Sequence, residues 1–78
     1  MDSVITVEPT ADGWSVRRPC ADQPEVFTSG AKAEEAANRA AASLAAAGLT
    51  SEVVVYLRGG ALGGRFVYRA SDAIQAET

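Results

Sequence analysis

The chain has 78 residues, 47% of them hydrophobic and 22% charged, with a formal net charge of −3. That length holds one domain, residues 1–78, burying roughly 60% of its unfolded surface, and the composition excludes intrinsic disorder. The net negative charge argues against nucleic acid or an anionic membrane as main partner, while the lack of histidine and the single cysteine exclude an ordinary zinc site and an intramolecular disulfide.

The β-branched run Val4-Ile5-Thr6-Val7-Glu8 predicts a first strand, closed by Pro9 because proline cannot donate to the next ladder bond. Asp12-Gly13 supplies the chemistry of a hairpin loop, with Gly13 free to take positive φ. Trp14 to Arg18 returns as a second strand, with Trp14 and Val16 on one face and Ser15 and Arg17 on the other, and Trp14 is the leading core residue. The proline-bearing stretch Pro19 to Glu25 reads as a connector, and Val26-Phe27 as an extended entry to a helix, with Phe27 packing beneath its start.

The helix lies between Ser29 and Gly48. Thr28 or Ser29 can accept from its first free amides, and Glu34 and Glu35 sit early, where the helix dipole favours negative charge. Ala33, Ala36, Ala37, Ala40, Leu44 and Ala47 form the apolar stripe, small enough for the helix to approach a sheet whose bulky residues fill the gap. Gly48 ends the helix, with Leu49 folding back as the accompanying contact. Next comes the strongest β segment, Glu52 to Leu57, apolar on both faces and therefore central in the sheet or covered twice. Gly59-Gly60 reads as a two-residue turn and Gly63-Gly64 as a bulge in the last strand, which runs on to Arg69. Residues 70–78 form a tail, with Ser71 to Thr78 a short capped turn or a frayed end. The expected fold is α+β, order ββαββ: a small antiparallel or mixed four-stranded sheet with one helix on one face.

Several of these features occur together in a known pattern: Val7-x-Pro9 before the turn, Asp12-Gly13-Trp14-x-Val16, an alanine-rich helix opened near Ser29, and Glu52-Val53-Val54-Val55 followed by Gly60-x-Leu62. In this order, over residues 4 to 66, the chain resembles a small bacterial family of unknown function, numbered 2188. The resemblance implies the fold and no activity. It is weakest in the last hairpin, where family members usually carry more lysine and a polar pair in place of Gly59-Gly60 and Gly63-Gly64.

Chemically the chain offers little to an enzyme. Without histidine no nucleophile and base form a recognisable set, and the adjacent Glu34 and Glu35 point about 100° apart on a helix, too far to share a proton. The run from Arg58 to Arg65 is not a phosphate loop, because a strand and not a helix N-terminus follows its glycines. No catalytic residue, metal ligand or cofactor is expected. Cys20 fits a reducing compartment; the opening residues lack a signal peptide's basic start and apolar run, and no segment approaches membrane-spanning length, so the expected location is cytoplasmic.

What is left is a surface. If Phe66 and Tyr68 face the core, the opposite side of the last strand carries Arg65, Val67 and Arg69, and Arg17, Val54 and Tyr56 join them on the sheet face away from the helix. Stacking these faces, or pairing an exposed strand edge, would hide Val54, Tyr56 and Val67. The expected role is a protein-interaction or self-association module, a homodimer first, with a further protein partner unidentified. The alternative is a nucleic-acid-associated accessory protein that uses the arginines beside a tyrosine.

Overall fold

A computed structural model describes residues 3–19 and 21–70; Cys20 and, of the tail expected over 70–78, all but Ala70 lie outside the described residues. The protein is α+β, with strands β1 (Ser3–Pro9), β2 (Trp14–Arg17) and β3 (Glu25–Phe27), helix α1 (Gly30–Ala46), and strands β4 (Ser51–Tyr56) and β5 (Leu62–Tyr68). One mixed five-stranded sheet runs in the order β3-β2-β1-β4-β5. The order is thus βββαββ, and the four-stranded ββαββ expectation is corrected by one strand. Val26-Phe27 is no mere entry to the helix: with Glu25 it pairs antiparallel to β2, Phe27 opposite Trp14 and Val26 opposite Ser15. A three-residue strand after Pro24 has no room for a periodic signal; its partner's register defines it.

The helix carries the chain back across the sheet, so β4 returns parallel to β1, with Ser3 opposite Ser51 through Val7 opposite Val55. β1 and β4 are therefore both interior, which accounts for the apolar character of β4 on both faces. On the covered side Ile5, Val7, Val16, Val53 and Val55 meet Ala33, Ala37, Ala41 and Ala45, all buried. The contact line is a four-residue ridge of alanines. This shifts the expected stripe: Ala33 and Ala37 lie on it, Ala36, Ala40 and Leu44 flank it half-buried, Ala47 is exposed, and Ala41 and Ala45 complete it.

Both helix ends follow local chemistry. Ser29 is the N-cap, with extended backbone and its hydroxyl accepting from the Lys32 amide at 3.4 Å. At the other end the Gly48 N–H donates to the Ala45 carbonyl at 3.0 Å and the Leu49 N–H to the Leu44 carbonyl at 2.9 Å. Those two bonds are the Schellman pattern, and Gly48 takes the φ of 95° that it requires. Glu34 and Glu35, however, fall beyond the first turn, which holds no acidic residue. Glu35 instead pairs with Arg39 one turn on, at 3.4 Å on an exposed surface.

The first hairpin closes with the Thr10 N–H donating to the Gly13 carbonyl at 2.8 Å. Gly13 does not take positive φ. It is needed because β3 passes so close that a Cβ there would overlap the Phe27 carbonyl oxygen. The second hairpin has three loop residues where two were expected: Leu57 N–H donates to Ala61 O at 2.7 Å, and Gly60 N–H to Leu57 O at 3.0 Å, with positive φ at Gly59 and Gly60. Gly63 is the bulge, since Gly64 pairs with Val55 and Leu62 with Tyr56.

Trp14 is half-buried, not central in the core, because it stands where the sheet passes the helix N-terminus. Its ring rests against Gly30, where a Cβ would lie 3.0 Å from Cε2. The Arg58 guanidinium lies 5.7 Å from the ring centroid and donates to the Thr10 carbonyl at 2.9 Å and the Gly13 carbonyl at 3.4 Å. One side chain from the second hairpin thereby clamps the tip of the first.

Candidate interaction surface

Ile5, Val7, Val53 and Val55 point to the helix, so their alternating neighbours point away from it. The ladder registers place Arg17, Thr6, Val54 and Arg65 in one row across β2, β1, β4 and β5. On one side of it Val4, Glu52 and Val67 form a second row; on the other lie Val26, Ser15 and Glu8, with the Tyr56 and Leu62 pair. Of the residues the sequence singles out, Arg17, Val54, Tyr56, Arg65 and Val67 share this face. Arg69 is exposed but lies past the last residue of β5, outside the ladder that places the others.

Part of the charge on the face is internal. Arg65 forms an ion pair with Glu52, its diagonal neighbour on β4. On the helix side of the sheet, Arg18, just past β2, pairs with Glu25, which stands opposite Val16, at 3.5 Å. Among the described residues Arg17 makes no ion pair. Sequence reasoning missed Val4, Glu8, Glu52, Val26 and Leu62 as members of the face, although strand parity alone would have named the first three.

The aromatic side chains divide unequally. Trp14, Phe27, Phe66 and Tyr68 are on the helix side of their strands, leaving Tyr56 as the single aromatic of the other face among the described residues. Tyr68 is half-buried and its hydroxyl donates to Asn38 Oδ1 at 2.6 Å, tying β5 to the middle of the helix. Phe66, opposite Val53, remains 43% exposed, so parity puts it on the core side without putting it in the core. The alanine ridge runs along β1, β2 and β4 and stops short of it.

Two depressions adjoin these surfaces. One, of about 610 Å³, lies beside Thr6, Glu8, Pro9, Tyr56 and the Gly59-Gly60 turn. Its polar side chains are the Glu8 carboxylate, the Tyr56 phenol and the Thr6 hydroxyl. The other, of about 400 Å³, runs along the helix flank past Ala40, Leu44, Leu49 and Arg18. Among the described residues there is no group of three metal-ligating side chains, and no helix is long and apolar enough to cross a membrane. No family model, curated protein or solved structure matches the chain.

Proposed function

We propose that this chain is a non-enzymatic, cytoplasmic protein-interaction domain that associates first with itself as a homodimer, and that it belongs with the family of unknown function it resembles. The observation that carries this reading is the uncovered side of the sheet and its adjoining β5 edge, where Val4, Leu62 and Val67 are exposed beside Val54 and Tyr56. An open sheet with one helix leaves an uncovered face and unpaired outer strands, and a second polypeptide can satisfy either. Association also adds stability that an alanine-lined core supplies sparingly.

The surface on offer is small. Strand spacing and rise make the face about 24 Å by 20 Å, less than the roughly 800 Å² per partner of a standard interface, so association is expected at micromolar protein. Light scattering coupled to gel filtration, at tens of micromolar protein, should give about twice the 8.1 kDa chain mass. A monomeric mass there refutes the homodimer. The nucleic-acid alternative is disfavoured because Glu52 holds Arg65 and a lone tyrosine offers stacking. Titration with single- and double-stranded oligonucleotides at low ionic strength should show no salt-sensitive binding; a steep salt dependence would replace the present reading with that one.

A further inference from the structure

We infer that two copies of this chain join through the free edges of β5, antiparallel about a twofold axis at Phe66, so that two five-stranded sheets become one. The inference rests on the self-association reading above and names the element that performs it.

The two outer strands of the sheet are built differently. β3 is three residues long, follows Pro24, and carries Glu25 in an ion pair with Arg18, a short and charged edge of the kind that discourages pairing. β5 has seven residues and no proline, and exposes Leu62, Phe66 and Val67 at 58%, 43% and 51%. Its inner side is paired with β4 except at the Gly63 bulge, and among the described residues its outer side faces no strand. A row of backbone donors and acceptors flanked by apolar side chains is a template for one more strand.

Of the axes open to a second copy, Phe66 pairs the most of this edge without opposing like charges. Twofold antiparallel pairing sets residues of the same face opposite one another, so one residue must face itself on the axis. With Arg65 on the axis, two guanidinium groups meet; with Val67 on the axis, Arg65 meets the partner's Arg69 twice. With Gly64 there, pairing has to run through the Gly63 bulge. Phe66 on the axis sets Arg65 against the partner's Val67 and Gly64 against the partner's Tyr68, with no like charges opposed. The regular ladder from the bulge to the strand end, Gly64 to Tyr68, has Phe66 at its centre. That axis therefore pairs the whole of it.

The same arrangement accounts for Phe66. Its ring lies along the strand beside Gly64, where a Cβ would stand 3.5 Å from Cε2, so it does not block the edge. On pairing, the two rings meet in the groove between the two helices, where neither alanine ridge reaches. Arg65, already held by Glu52, brings a neutralised charge and an aliphatic stem over the partner's Val67.

The test uses the full chain with Cys20→Ser. Phe66→Cys should give an intermolecular disulfide on mild oxidation, since directly opposed residues place their Cβ atoms within about 1 Å of the separation a disulfide spans, a gap that small strand adjustments close. Val54→Cys, on the uncovered face, should not. In parallel, Phe66→Lys should raise the dimer dissociation constant at least tenfold by scattering mass, whereas Tyr56→Lys leaves it within about threefold. A dimeric parent chain whose Phe66→Cys form does not cross-link, or whose Val54→Cys form cross-links instead, overturns the edge and leaves self-association standing. A monomeric parent at tens of micromolar overturns both. Should Phe66→Lys fail to fold by circular dichroism, the cross-linking pair decides alone.

Discussion

Ala40 and Ala41 are adjacent on α1, yet the same enlargement should change stability in opposite directions. Ala41 is fully buried on the ridge against Ile5, Val7 and Val53, each also inaccessible to solvent. Leucine there adds three carbons to a seam that borders neither surface depression. In a space that accepted them they would contribute about 0.8 kcal/mol each. Here they must lift the helix from the sheet, and overpacking of this size costs about 1–3 kcal/mol net. For a 78-residue domain whose whole stability is about 4–12 kcal/mol, that loss is large. Ala40 instead borders the 400 Å³ cleft with Leu44 and Leu49, so leucine there should gain roughly 0.5–1 kcal/mol by partial burial. Helix propensity changes equally at both positions and cancels in the comparison. Urea unfolding at fixed protein concentration, followed by Trp14 fluorescence and far-ultraviolet circular dichroism, reads the difference. With a slope near 1 kcal/mol/M, Ala41→Leu should lower the midpoint by about 1–3 M and Ala40→Leu should raise it slightly. Equal effects at the two sites, or an Ala41→Leu midpoint indistinguishable from the parent chain's, would refute the alanine ridge as the line of closest approach.

Three further outcomes test separate parts of the fold. Gly48→Ala should cost about 1–2 kcal/mol in the same melts, a purely conformational loss because a Cβ there meets nothing within 4 Å and the residue sits at φ 95°. Tyr68→Phe should lose about 0.5–1.5 kcal/mol, and adding Asn38→Ala should lose less than the two single changes summed, since both remove one hydrogen bond. Gly13→Ala should cost more than about 2 kcal/mol, and amide exchange should show β3 losing protection before β1 or β4, because the overlap is with the Phe27 carbonyl.

Much of this fold is legible locally, wherever one residue type has one use. Ser29 and Gly48 mark the helix ends through hydrogen bonds that few other residues supply, and Pro9 ends β1. The interior place of β4 follows from Val53, Val54 and Val55 in succession. Other features depend on what lies far off in the chain. In a helix with alanine at Ala36, Ala37, Ala40, Ala41 and Ala42, periodicity does not distinguish which of them touches the sheet; the rotation is settled by contacts such as Asn38 with Tyr68. β3 is defined by β2 alone. Phe66 obeys its parity and still meets solvent, because exposure there depends on how far the helix reaches across a strand order that no local pattern records. Arg58 reads as a turn residue. Its partners are main-chain carbonyls in the first hairpin, which carry no side-chain signature. The face residues Arg17, Val54, Tyr56, Arg65 and Val67 were readable from alternation, whereas the neutralisation of Arg65 by Glu52 required the offset of β4 against β5.

The parallel seam between β1 and β4 bears on how the protein is made. β1 leaves the ribosome ahead of every other strand, yet one of its two neighbours has not been translated until Tyr56 has been added. Until then a meander of three strands and a finished helix carry an unsatisfied interior border where β4 will insert. The long-range pairing that completes the sheet is thus a late and comparatively slow event. Chains truncated before Ser51 should remain protease-sensitive and bind holding chaperones, and resistance should appear only in chains long enough to include β4.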